Sequence, residues 1–326
     1  MKQKLKSGIK YLTITVVLIV VGLLSYVSFA LPDVGDTESI TIELTPSRVE
    51  RGKYLANSVS ACMDCHSTRD WSQFAGPPIA GTTGKGGEEF NQKFGFPGQF
   101  YAKNITPFAL KDWTDGEILR AISAGVSKDG TALFPLMPHP NYGKMDKEDL
   151  YSIIAYLRTL KPIEHIIPRS KPDFPMNFII NTIPQKPQFS KIPDQGNPAA
   201  YGAYLFNAAA CADCHTKAEK GAPIVGMELA GGFEFPLPKG GIVRSANITQ
   251  DNETGIGTWT EELFMQKFKI YQDSSYRSPE IKDGEFNTVM PWTMYSTMKE
   301  EDLKAIYAYL RTVKPISNRV ERFNKN

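Results

Sequence analysis

Two pentapeptides in this 326-residue chain carry residue types that could do chemistry, Cys62-Met63-Asp64-Cys65-His66 and Cys211-Ala212-Asp213-Cys214-His215. They use all four cysteines, so none is left for a separate structural disulfide. A Cys-x-x-Cys pair could be a redox dithiol, and two pairs could build a zinc site. The histidine directly after each pair points elsewhere. Cys-x-x-Cys-His is the attachment signature of c-type haem: the two thiols add to the haem vinyl groups, and the histidine is held beneath the iron as its proximal ligand. The expectation is two covalently bound haem c. Cys62, Cys65, Cys211 and Cys214 would attach them, with His66 and His215 on the irons.

A haem iron held by one histidine has a sixth position that is either closed or open, and "TALFPLMPHPNYGKM", residues 131–145, offers three ligands for it: Met137, His139 and Met145. An internal repeat chooses among them. "RGKYLANSVSACMDCHS" parallels "YGAYLFNAAACADCHT", "YAKNITPFALKDWTDGEI" parallels "RSANITQDNETGIGTWTEEL", and "LMPHPNYGKMDKEDLYSIIAYLRTLKPI" parallels "VMPWTMYSTMKEEDLKAIYAYLRTVKPI". The offset is 149 at the first cysteines and 153 from Met137 and Met290 through Pro162 and Pro315. Met137 therefore matches Met290, each followed by proline, whereas His139 matches Trp292, which cannot bind iron, and Met145 matches Met298 at the start of a helical pattern. Met137 and Met290 are the expected distal ligands. His139 and His165 read as surface or loop residues. Met63, Met145, Met294 and Met298 read as packing.

The elements that must position these residues read as helices. Ser47 with Glu50 fits a capping box ahead of the first pentapeptide, and Asn197-Pro198 fits an N-cap and first-turn proline ahead of the second. Leu150, Ile153, Ile154 and Leu157 recur as Leu303, Ile306, Tyr307 and Leu310, one apolar stripe on each closing helix. Lys-Pro at 161–162 and 314–315 ends those helices. The sequons at Asn104 and Asn247 recur in both copies, which suggests a backbone-fixing turn and not a glycosylation site. Trp113 and Trp259 read as packing residues near each site. "GTTGKGGEEF" at 81–90 lacks the context of a phosphate loop and reads as exposed loop. Between the copies lies a proline-dense strap, residues 163–196, packed through its apolar "MNFII".

At the start, Tyr11 to Pro32 is an uncharged run long enough to span a bilayer, which takes roughly 20 apolar residues. Lys2, Lys4, Lys6 and Lys10 precede it, while Asp33, Asp36 and Glu38 follow. That bias keeps residues 1–10 cytoplasmic and exports the rest. A cleaved signal peptide with a site near Ser28-Phe29-Ala30 is the alternative. Elsewhere the charges balance, 37 basic against 35 acidic. Nothing in that balance suggests nucleic-acid binding.

The order Cys-x-x-Cys-His, Asn-Ile-Thr, Trp-Thr, Met-Pro and "EDL..I.AYLRTLKP" resembles tandem class I cytochrome c. More closely it resembles the cytochrome c subunits of membrane-bound bacterial dehydrogenases for alcohols and sugar acids. Those subunits commonly have three haem motifs where this chain has two. The resemblance implies an all-α fold: two tandem class I cytochrome c domains, 45–162 and 197–318, behind a transmembrane segment at 11–32. It implies no catalytic residue of its own. A membrane-tethered electron carrier follows, single-pass in a bacterial inner membrane with periplasmic haem domains. Its donor would be a dehydrogenase or quinol-oxidising complex, and its acceptor an oxidase or soluble cytochrome. The rival is a dihaem peroxidase or thiosulfate-oxidising cytochrome with one catalytic haem, which needs one iron left open.

Overall fold

The computed structural model describes residues 2–219 and 221–325; Met1, the first residue of the basic segment 1–10, lies outside them. Helix α1 spans Lys2–Phe29 and is long and apolar enough over Lys6–Phe29 to cross a membrane. It stops just before Leu31-Pro32, because proline disfavours helical geometry in the residue ahead of it.

Six helical segments build the first half's frame. α2, Pro46–Tyr54, is capped by Thr45, whose Oγ1 accepts from the Arg48 N–H at 3.3 Å. Ser47 is therefore not the cap. Pro46 takes the first helical position, where a missing N–H costs nothing, and the cap moves to the residue before it. α2 runs on into a π turn, Leu55–Val59, with Ser60 N–H bonded to the Leu55 carbonyl at 2.8 Å. The first pentapeptide forms α3, Cys62–Cys65. After α4, Pro107–Leu110, comes α5, Asp115–Ala124, opened by a capping box between Thr114 and Glu117. A single turn, α6, His139–Tyr142, precedes the closing helix α7, Lys147–Thr159.

The strap carries one helical turn, α8, Met176–Ile179. The second half repeats the first: α9, Pro198–Ala208, capped by Asn197; α10, Cys211–His215; α11, Glu261–Lys269, capped by Thr260; α12, Trp292–Tyr295; and the closing α13, Glu300–Leu310. The π turn has no counterpart here. Leu55 stands seven residues ahead of Cys62, whereas Leu205 stands six ahead of Cys211. A π turn absorbs one extra residue without breaking the helix around it.

The chain is not all-α. β1, Glu89–Phe90, pairs with β2, Gly98–Tyr101, which pairs with β3, Lys171–Pro172. β4, Ala218–Glu219, pairs with β5, Ala222–Pro223. β6, Glu234–Pro236, pairs with β7, Ile242–Arg244, which pairs with β8, Phe323–Asn324. All pairings are antiparallel. These ladders lie in the insertions between motifs and in the strap and tail, and are two to four residues long. Alternating hydrophobicity cannot be read over so few positions.

The opening and closing helices of each half cross at a glycine. A Cβ on Gly52 would lie 1.7 Å from the Ser152 carbonyl oxygen, and one on Gly202 would lie 1.8 Å from that of Ala305. The closing stripes fill the centre, with Leu150, Ile154 and Leu303 fully buried. Met145 and Met298, just ahead of each closing helix, are buried with them, as packing residues should be. One continuous apolar core runs through both halves.

Between the halves the contacts are reciprocal. Tyr54 of α2 donates to Asp302 of α13 and accepts from the Lys299 N–H at 3.1 Å. Tyr204 of α9 donates to Asp149 of α7 at 2.6 Å and accepts from the Asp146 N–H at 3.2 Å. Each tyrosine thus caps the start of the other half's closing helix, satisfying an orphan backbone donor there. Asp149 and Asp302 are buried, and each has a second partner from its own half: Arg51, with two bonds of 2.8 Å, and Tyr201 at 3.0 Å.

Candidate functional site

Each pentapeptide begins after a left-handed alanine, Ala61 at φ 45° and Ala210 at φ 51°. A non-glycine residue rarely takes that conformation, and it persists only where its surroundings hold it. Here a buried tyrosine holds the preceding carbonyl: Tyr142 Oη donates to Ser60 at 3.2 Å, and Tyr295 Oη donates to Ala209 at 2.8 Å. The sharp bend turns the chain out of the opening helix and into the short helix that presents both cysteines and the histidine.

Behind each histidine stands a backbone carbonyl. His66 Nδ1 lies 2.6 Å from the Lys103 oxygen, and His215 Nδ1 lies 2.8 Å from that of Ala246. A carbonyl can only accept, so Nδ1 carries the proton and Nε2 keeps its lone pair for a metal. Burial holds both imidazoles below their ordinary range, with the carbonyl acting in the opposite direction. A neutral ring is the form that can ligate.

Those carbonyls are themselves fixed by the Asn-Ile-Thr motifs that follow them. Asn104 Oδ1 accepts from the backbone N–H and the hydroxyl of Thr106, at 2.9 and 2.8 Å. Its Nδ2 donates to the carbonyls of Ile163 and His165. Asn247 makes the same two bonds to Thr249 at 2.9 and 2.8 Å, and its Nδ2 reaches Ile316 and Thr254. Both asparagines are buried. The turn expected from the repeat is present. It also clamps the segment leaving each closing helix against the segment behind each histidine.

Several residues here gave no readable signal. Gly86, at φ 68°, donates its N–H to the His66 carbonyl at 2.9 Å, and Gly231, at φ 73°, donates to that of His215 at 2.8 Å. A Cβ on Gly86 would lie 2.4 Å from the Lys103 oxygen. The loop 81–90 is therefore more than exposed loop: it closes under the first histidine. Gly86 stands among several neighbouring glycines, and Tyr142 among many tyrosines, so neither distinguishes itself in sequence.

The Met-Pro pairs adopt one geometry twice. Pro138, at φ −75° and ψ 55°, and Pro291, at φ −77° and ψ 62°, are the central residues of inverse γ-turns. The carbonyls of Met137 and Met290 accept from the N–H two residues on, at 2.6 and 2.7 Å. Both methionines are half-buried and packed against the same core as Cys62 and Cys211. His139 departs from expectation. It is buried, and its ring lies against Gly125, where a Cβ would come within 2.5 Å. The γ-turn redirects it inward, which no local pattern indicates. His165 is half-buried beside Gly87. Trp113 and Trp259 pack against the core, as expected.

The two surroundings differ in charge. Asp64 is buried with Arg69 at 2.8 Å, which also meets Glu88 at 2.5 Å. Burial pushes Asp64 up to about 6, with Arg69 acting against it. In the second pentapeptide Asp213 instead accepts from Asn141 of the first half at 3.0 Å. That bond sets the second attachment motif against the turn after Met137.

The donors of each pentapeptide, two thiols and one oriented neutral imidazole, fit haem c, and a Met-Pro turn packs on the same core. It does not fit a zinc cage, since among the described residues no three Cys, His, Asp or Glu side chains are gathered as one.

Comparison with known proteins bears most directly on the second half. Residues 199–314 match the family model for cytochrome c. The cytochrome c subunit of the quinone-dependent alcohol dehydrogenase of Komagataeibacter europaeus is 28% identical over 82% of this chain and 56% of its own length. The fructose dehydrogenase cytochrome subunit of Gluconobacter japonicus is 27% identical over 81% of this chain and 52% of its own. A dihaem c-type cytochrome of Cereibacter sphaeroides is 27% identical over 78% of this chain and 82% of its own. The chain spans just over half the length of the dehydrogenase subunits it matches.

Proposed function

We propose, from the premise that residues 199–314 form a cytochrome c domain, that this chain is a membrane-tethered dihaem cytochrome c. Its two tandem modules, 45–162 and 197–318, relay single electrons on the outer side of a bacterial inner membrane. The donor is a dehydrogenase, or a quinol-oxidising complex, and the acceptor is a terminal oxidase or soluble cytochrome. α1 serves as the anchor. The relatives support the dehydrogenase assignment, since they are the cytochrome subunits of such enzymes.

The observation that carries this reading is the duplicated site. Each haem, attached through Cys62 and Cys65 or through Cys211 and Cys214, supplies a one-electron Fe(III)/Fe(II) couple. His66 and His215, each oriented by a fixed carbonyl, would hold the irons through Nε2. Met137 and Met290, in matching γ-turns, would supply the thioether ligands that complete each iron. A thioether ligand and burial both favour the reduced iron and raise its potential. The peroxidase alternative requires one open iron. Nothing distinguishes the two Met-Pro turns in a way that would open either.

The test is haem content and ligation in the purified full chain. Two haems resistant to acid-acetone are expected, one lost in Cys62→Ala/Cys65→Ala, with methionine-to-iron charge-transfer absorption from both in the ferric protein. One haem, or carbon monoxide binding to the ferrous wild type at either iron, would sink the sealed-carrier reading.

A further inference from the structure

The outer end of α1 does not stand alone. Asn181 Nδ2 donates to the Val27 carbonyl at 3.2 Å, and the strap's helical turn, α8 with the 3-10 turn Ile180–Thr182 after it, packs against α1. That turn has two faces. Ile180 is buried, and Met176 packs with it, against Phe100 and Ala132. Phe174 points the other way, 81% exposed, with Ile179 44% exposed and the Phe178 ring edge-on to Phe174. Tyr26 and Phe29 on α1 are exposed as well. Lys171 and Lys186 stand exposed on either side of the segment.

Depth follows from helix geometry. From Tyr11 to Phe29 the apolar run rises about 28 Å at 1.5 Å per residue, close to the roughly 30 Å of a bilayer's hydrocarbon. Val27 then lies about 3 Å inside the outer boundary. Asn181 touches it, Ile179 is two residues away, and Phe174 is seven residues back along tight helical turns, on the order of 12 Å. Asn181 and Ile179 thus stand at the outer boundary beside α1, and Phe174 is within reach of the interfacial layer, where aromatic side chains concentrate and where lysines reach for headgroups.

We infer that the strap around residues 174–183 is a second membrane contact, with Phe174 and Ile179 seated in the outer interfacial layer of the phospholipid bilayer beside α1. This rests on the reading of α1 as a retained anchor. Its consequence is orientation. A single helix followed by the short irregular stretch 30–37, before the chain docks on the first half at Glu38 and Ile42, would hold the two halves near the membrane but leave them freer to turn. A second contact pins one face down, so that the same surface always meets a partner in the membrane plane.

The experiment uses the full haem-loaded chain in phosphatidylcholine and phosphatidylglycerol vesicles whose acyl chains carry a diazirine, with adducts located by mass spectrometry. Labelling is expected on 11–29 and on 174–183, and Phe174→Ser/Ile179→Ser should lower the strap signal at least fivefold while leaving 11–29 unchanged. Labelled 11–29 with an unlabelled strap overturns the inference and leaves the anchor standing. Neither labelled overturns the anchor reading and this one with it. A strap labelled in pure vesicles but protected in native membranes shows that a protein partner, and not lipid, covers it.

Discussion

Asn104 and Asn247 each tie the segment behind a histidine to the distant segment leaving a closing helix, and their loss should be felt at the metal. Asn104→Ala removes the acceptor of Thr106 and the donors to Ile163 and His165. Leaving such buried groups unpaired costs about 3 kcal/mol in all. The Lys103 carbonyl loses its support, so the ferric electron paramagnetic resonance signal of the first haem should shift while that of the second stays. Unchanged spectra in a destabilised protein would confine the asparagine to a structural role. Met137→Ala should open the first iron to carbon monoxide and lower that haem's potential. His139→Ala should keep the methionine charge-transfer band yet cost about 2 kcal/mol in urea unfolding, because it empties a buried site; loss of the band would make His139 a residue that positions Met137. At this scale the pentapeptides and the Asn-Ile-Thr turns were legible because their chemistry is local. The glycines and tyrosines behind them were not, since they act across 16 to 86 positions of sequence on carbonyls that any residue carries.

Helices with a long apolar stripe, α7 and α13, are legible in outline because 3.6-residue periodicity has room to repeat. Where they cross their partners is another matter, since a glycine in a helix reads only as a weak helix former. Gly52→Ala and Gly202→Ala test the crossing. Each places a methyl carbon inside a backbone carbonyl's radius, and because backbone yields less than side chains the cost should be about 3 kcal/mol or more. Thermal unfolding of the haem-loaded protein would measure it; a loss below about 1 kcal/mol would mean that the helices can part without penalty. Gly130→Ala, with open space around it, should by contrast pay only for its positive φ. The two- to four-residue strands escaped sequence reading for the opposite reason to the helices: their pairing is set by which loops happen to lie together. The extra residue that makes the π turn is visible in the alignment of the two copies, but only the structure says that a helix absorbs it.

Across the whole molecule, the duplication was legible and the manner in which the copies face each other was not. Tyr54 and Tyr204 look like ordinary packing residues of an opening helix, yet they carry the contact between halves. Burial, and then the carboxylate each one faces, holds both phenols well above their ordinary range. A phenol whose folded pKa is raised lends stability that is complete below its unfolded pKa, near 10, and is lost progressively as pH rises from there toward the folded value. Unfolding free energy should therefore fall steeply above about pH 10. In Tyr54→Phe/Tyr204→Phe it should be lower at pH 7 and fall less steeply in alkali. Parallel profiles for the two proteins, read by far-ultraviolet circular dichroism in urea, would show that the phenols do not link the halves.

The exchanged tyrosines also bear on descent. Repeats that merely sit side by side can be lost or multiplied one at a time, as beads on a string. Here each copy has come to rely on a hydroxyl encoded in the other, so a gene reduced to one copy would leave a buried aspartate and a helix start without their donor and acceptor. Residues 45–162 expressed alone, or 197–318 alone, should be poorly soluble, and mixing the two fragments should restore folding to both. With that reliance in place, reduction to a single copy would require repairing two buried sites before any benefit could follow. The duplication had become hard to undo.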